Sequence, residues 1–128
     1  MSKKIYNIIK IVLIAAMYLV GFLIYDKLPD MLPTHWNFAG EADGFSSKQT
    51  AIWLFPTITL AILILFYFLP KLDPKKEKYQ LFSKAWEIFQ IIFVLFFAYM
   101  YFITLYAALV SDTNIDTMVM TGVGVLFV

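Results

Sequence analysis

The sequence predicts an all-α integral membrane fold: a helical bundle of three full transmembrane helices plus a partial fourth, with an ordered extracytoplasmic loop between helices 1 and 2. Three observations carry this. Of 128 residues, 62% are hydrophobic and 15% charged, with mean hydropathy +0.78, whereas a soluble domain is nearer half apolar and a quarter charged. The apolar residues lie in long blocks rather than amphipathic stripes, and the lysines segregate to alternate connections between those blocks.

The first block, Ile5–Tyr25, is interrupted only by Asn7 and Lys10. As a helix it spans ~31 Å, about the hydrocarbon thickness of a bilayer. Lys3, Lys4 and Lys10 near its start also fit a signal peptide, but Asp26-Lys27-Leu28-Pro29 follows without a small-x-small cleavage site. The expectation is a retained helix. The second block, Ala51–Leu69, spans ~28 Å. Ser46 and Gln49 have capping-box spacing, which places the helix start a turn before the apolar block. Pro56 removes one backbone donor and clashes with the carbonyl of Ile52, predicting a kink, and Leu69-Pro70 closes the helix.

The third block, Ile88–Val110, spans ~34 Å and allows some tilt. Its many rings distribute around the helix and suit lipid contact and packing. A fourth run begins near Thr117, with Asp116 as N-cap. The residues up to Val128 would span ~18 Å, too short to cross. The chain is therefore expected to be a piece of a longer protein, the alternative being a short re-entrant or interfacial terminus.

Lysine placement orients the bundle. The N-terminal flank carries Lys3, Lys4 and Lys10, and the second connection carries Lys71, Lys75, Lys76, Lys78 and Lys84; the other side has only Lys27 and Lys48. The positive-inside rule then places the N-terminus in the cytoplasm and residues 26–50 on the outer side of the membrane. Two parts follow: 1–70, a two-helix domain carrying the outer loop, and 71–128, a basic cytoplasmic connector with the third helix and the start of the fourth.

Within the outer loop, Pro29 and Pro33 push the residues before them toward extended backbone, so residues 28–33 should not be helical. Ala39-Gly40 and Asp43-Gly44 are turn pairs. Trp36, Phe38 and Phe45 are apolar bodies in a polar segment, which reads as a compact loop with its rings at headgroup depth. Asp26, Asp30, His35, Glu41 and Asp43 are the residue types there that carry chemistry. A histidine with carboxylates can ligate a cation or transfer protons, which makes His35, Glu41 and Asp43 the metal candidates. Their spacing matches no standard ligand motif and no second histidine exists. The plainer reading is that His35 and Asn37 hydrogen-bond the loop's own backbone. No cofactor, no bound metal and no catalytic residue are expected.

Elsewhere the sequence excludes more than it suggests. Ten lysines and no arginine argue against bidentate phosphate recognition and nucleic acid as a partner. With no cysteine there is no disulfide and no thiolate chemistry. Glu87 and Gln90 are read at the inner end of the third helix, with Glu87 reaching headgroups, so almost nothing ionisable remains in the hydrocarbon. That counts against an ion-coupled transporter. Ala15, Ala16 and Gly21 on the first helix, and Ala98, Ala107 and Ala108 on the third, offer small-residue packing faces. The basic connector has affinity for anionic lipid and could dock a cytoplasmic regulator.

The run Tyr25-Asp26-Lys27-Leu28-Pro29-Asp30-Met31-Leu32-Pro33-Thr34-His35-Trp36-Asn37, then Gly40, Asp43, Gly44 and Ser47-Lys48, resembles the outer-loop signature of a bacterial membrane family. That family's N-terminal domain of unknown function occurs in SdpI-like proteins, which confer immunity to a sporulation-delaying peptide toxin. The resemblance implies signature positions at Pro29, Pro33, His35, Asn37, Gly40, Asp43, Gly44 and Lys48, and with Trp36 these are the candidates for ligand recognition. It implies a non-enzymatic membrane protein, with the lipid bilayer around it and a peptide toxin as partner at the outer loop. Its role would be immunity or signalling in response to that peptide or to envelope stress. The alternatives are a metal-dependent membrane enzyme built on the loop, or a transporter subunit with a polar cavity among its helices.

Overall fold

The structure, a computed structural model, describes residues 2–39, 41–75, 77–110, 121–122 and 124–125. In order they form α1 (Lys3–Ile24), one 3-10 turn (Tyr25–Lys27), β1 (Met31–Trp36), β2 (Ala42–Ser47), α2 (Lys48–Leu72), α3 (Glu77–Leu81) and α4 (Ser83–Leu109). The segments Lys3–Lys27, Lys48–Leu72 and Ser83–Leu109 are each long and apolar enough to cross a membrane. The chain is a multi-pass membrane protein. The expected start of a fourth helix at Asp116 and Thr117 lies outside the described residues.

Each span is longer than its apolar block, because a helix continues as long as its backbone donors find acceptors. α1 takes in Lys3 and Lys4, and α4 begins at Ser83 rather than Ile88. α2 does begin about a turn before Ala51, but the cap is Ser47, not Ser46: its hydroxyl accepts from the Thr50 amide at 3.3 Å. Pro70 does not close α2. A proline costs its own donor and crowds one carbonyl, and the helix closes a turn later, where the Asp73 amide donates to Leu69 O at 3.1 Å.

The helices meet along seams set by the 3.6-residue period. On α1 the buried positions are Lys10, Ile14, Met17 and Gly21, with alternating steps of four and three. On α4 they include Glu87, Gln90, Val94, Ala98, Tyr101 and Leu105. Of the expected small-residue faces, Gly21, Ala98 and Ala107 are buried, whereas Ala15 is exposed and Ala16 only partly covered. Ala15 and Ala16 fall outside the seam that starts at Lys10. Between α2 and α4 the Phe66 ring lies 5.2–5.5 Å from those of Trp86, Phe89 and Phe93. Such contacts contribute about 0.5–1.5 kcal/mol apiece.

The connection between α1 and α2 is a β-hairpin, which the all-α expectation did not contain. β1 and β2 pair antiparallel, Met31 opposite Ser47, Leu32 opposite Ser46 and Pro33 opposite Phe45. Period-two alternation gives it an inner and an outer face. Leu32 is fully buried, while Met31, His35, Asp43, Phe45 and Ser47 are exposed. Leu28 and Leu32 enter the main core with Met17, Ala51, Ile52, Ala98, Tyr101 and Leu105. The hairpin is thus seated on the end of the bundle.

Candidate functional site

Several hairpin residues expected to matter are brought together, and local chemistry explains how. Asn37 opens the tip. Its Oδ1 accepts from the amides of Ala39 at 2.9 Å and Glu41 at 3.0 Å, and its own amide donates to Glu41 O at 2.9 Å. That is a turn held by a side chain mimicking backbone, as the plainer sequence reading had it. His35 does something else: its Nδ1 pairs with Asp43 Oδ1 at 2.5 Å. The strand register is irregular between Pro33 and His35 and again between His35 and Trp36. Asp43 falls between Ala42, opposite Trp36, and Gly44, opposite His35. Gly44 is needed there because a Cβ would come within 2.8 Å of the His35 Cβ.

Lys48 anchors the other end of the hairpin. Its amide donates to Asp30 O at 2.8 Å, its Nζ to Leu28 O at 3.4 Å, and that ammonium lies 4.7 Å from the Tyr25 ring centre. Pro33 sits within β1, and Pro29 precedes that strand without belonging to it. Gly40 lies outside the described residues. Glu41 does not join His35 and Asp43; its carboxylate meets Asn37 Nδ2 at 3.3 Å. Among the described residues no three His, Asp or Glu side chains gather as a metal site would require. The arrangement offers one histidine–carboxylate pair.

Between the hairpin and the helices lies a groove of about 630 Å³. Thr34, His35, Trp36, Asn37, Phe38 and Asp43 line it from the hairpin, and Phe55, Phe96, Phe97 and Met100 from α2 and α4. The helix wall presents rings and a thioether, and the hairpin wall sets polar and ionisable groups among the rings of Trp36 and Phe38. The Trp36 indole nitrogen is buried and finds no hydrogen-bond partner among the described residues. The helix-side residues were missed from sequence, since nothing in an apolar span distinguishes a ring facing lipid from one facing a groove.

A second polar cluster was read differently from sequence. Lys10 is 2% exposed; its Nζ donates to Glu87 Oε2 at 2.8 Å and to Gln90 Oε1 at 2.6 Å. Glu87 is itself buried, so it does not simply reach headgroups. Its other oxygen lies 3.8 Å from Lys3 Nζ. A charge in an apolar setting is held where an opposite charge and hydrogen bonds compensate its desolvation. The available signal was a lysine inside the first apolar block, with a glutamate just before the third block and a glutamine inside it.

Residues 12–60 match the family model described as a domain of unknown function, DUF1648. The chain is also 26% identical over 122 residues to the immunity protein SdpI of Bacillus subtilis (strain 168), an alignment covering 95% of this chain and 56% of the relative. The chain thus spans little more than half the length of the curated relative it matches. No solved structure matches. Both matches are similarities: the chain is similar to SdpI-like membrane proteins over the stretches they cover.

Proposed function

We propose that this chain confers immunity to, or senses, a membrane-active peptide, and that it receives the peptide at the hairpin groove without catalysing a reaction. The observation that carries this is the groove itself, apolar on the helix side and mixed on the hairpin side, where His35, Asn37 and Asp43 stand among the rings of Trp36 and Phe38. A peptide that partitions into the headgroup layer presents the same two chemistries. The similarity to a protein named for immunity supports the reading. Signature positions divide accordingly. Asn37, Gly44 and Lys48 shape the hairpin, while His35, Trp36 and Asp43 face the ligand.

The lysine distribution supports an N-terminus in the cytoplasm and a hairpin outside. Because the chain has no cysteine, single cysteines report topology cleanly. A cysteine at Phe38, at the hairpin tip and fully exposed, reacts with a membrane-impermeant maleimide in intact cells, and one at Lys75 reacts only after permeabilisation. The reverse pattern overturns the orientation.

The function is tested in a bacterial host exposed to membrane-active peptides. Wild type raises survival, and Trp36→Ala, Asp43→Ala and Phe97→Ala lose the protection at equal membrane abundance. Equal survival of wild type, variants and empty host ends the proposal for the peptides tried.

A further inference from the structure

At the opposite end from the hairpin, a cleft of about 530 Å³ opens between the end of α2 and the start of α4. Lys3 and Lys71 stand on its walls, with Glu77, Trp86 and Glu87 also lining it. The charges there are not equivalent. Glu87 is already neutralised from beneath by buried Lys10, at 2.8 Å. The Lys71 ammonium lies 3.8 Å from the Tyr67 ring centre and 5.3 Å from that of Phe68, a π-face contact that leaves its charge intact. Lys3 lies 3.8 Å from the other Glu87 oxygen, and Lys3, Lys10 and Lys71 against Glu77 and Glu87 leave an excess of one positive charge at the cleft.

We propose that this cleft is a binding site for the headgroup of an anionic phospholipid, with the phosphodiester held between the Lys3 and Lys71 ammoniums and the Trp86 indole beside the glycerol region. Charge complementarity selects this occupant. A phosphodiester carries one negative charge, which matches the excess. The whole end of the molecule is basic as well, with eight lysines against Asp73, Glu77 and Glu87 over residues 1–10 and 71–87. Basic pockets at the ends of membrane helices bind anionic headgroups by this logic, each lysine adding to the attraction. The cleft also has what a lipid site needs below the headgroup: Trp86 belongs to the ring cluster of Phe66, Phe89 and Phe93 that continues toward the bundle's middle. Lys10 has a part without touching the lipid. With its charge buried under Glu87, the cleft floor does not repel a phosphate.

The test is native mass spectrometry of the purified chain released from nanodiscs of phosphatidylglycerol, phosphatidylethanolamine or phosphatidylcholine. Wild type retains phosphatidylglycerol selectively. A Lys3→Gln/Lys71→Gln double variant binds it about tenfold or more weakly, the order expected for two lost surface lysine interactions. A Lys75→Gln/Lys78→Gln variant removes the same charge outside the cleft and retains the lipid. Helicity and thermal unfolding in phosphatidylcholine are measured on both variants, which must match wild type for the comparison to count; if the double variant alone unfolds, single Lys3→Gln and Lys71→Gln variants decide by the same readout. Equal loss in both double variants means diffuse attraction and overturns the site. Equal retention of phosphatidylethanolamine overturns its selectivity for anionic lipid.

Discussion

The Tyr101 hydroxyl donates to the Ile52 carbonyl over 3.4 Å, and that carbonyl is the one Pro56 deprives of its helical N–H. Proline lacks a backbone donor, so the acceptor four residues back needs another partner in a place where water is scarce. α4 supplies it from a tyrosine 1% exposed. Gly21 of α1 completes the junction: a methyl there would overlap the Tyr101 hydroxyl and approach Ile52 Cγ2 to 2.8 Å. Three helices are thus pinned at one point by a proline, a tyrosine and a glycine.

Tyr101→Phe is expected to weaken the bundle by about 1 kcal/mol, the scale of one interhelical hydrogen bond in a membrane. Gly21→Ala acts by overpacking and costs about 1–3 kcal/mol. In the Tyr101→Phe background, Gly21→Ala costs less, because the overlapping hydroxyl is gone. Unfolding equilibria in bicelles measure all three, and strict additivity would show that the two residues do not share the contact.

Lys10→Met leaves Glu87 buried and stripped of its nearer cation, and is expected to cost about 3–5 kcal/mol. Lys10→Met/Glu87→Met removes both charges and recovers much of that loss, since a buried ion pair replaced by apolar groups of similar size is often close to neutral. The same unfolding measurement decides. A double variant as unstable as Lys10→Met alone would mean that Glu87 has a partner more important than Lys10.

Leu32→Ala opens a cavity where the hairpin enters the core and is expected to cost about 2–5 kcal/mol. The loss has a local signature. Amides of β1 and β2 exchange faster while those of the Val94–Leu105 stretch of α4 stay protected, as read by hydrogen–deuterium exchange. Uniform acceleration throughout would show that hairpin and bundle open as one unit.

Asn37→Ala removes two hydrogen bonds to the tip backbone and is expected to cost the hairpin about 1–2 kcal/mol. His35→Ala, whose partner Asp43 is solvent-accessible, costs little stability. Thermal unfolding separates them, and protection against peptide reports the opposite order of sensitivity if His35 serves the ligand and Asn37 the scaffold.

How much of this was legible follows from residues. Three spans could be counted because hydropathy is additive along the chain, and an apolar block of the right length needs no partner to declare itself. Asn37 was legible as a turn former because its hydrogen bonds reach only two and four residues ahead. The hairpin was not: Pro29, Pro33 and the glycines masked the alternation of Leu32, Thr34 and Trp36 against Ala42, Gly44 and Ser46. Ser47 rather than Ser46 caps α2 because register, not residue type, chose between adjacent serines.

The sequence by itself determined the solvent: so apolar a chain, with its charges gathered at the block ends, has to place its helices in a bilayer. Only the tertiary structure decided which polar groups meet. Lys10 finds Glu87 from 77 positions away, Tyr101 finds Ile52 from 49, and His35 reaches Asp43 across a bulged strand pair. The reason is that hydrophobic burial is non-directional and close to additive, whereas a hydrogen bond or ion pair requires its two partners within about 3–4 Å. Partners far apart in sequence reach that distance only after the helices have packed.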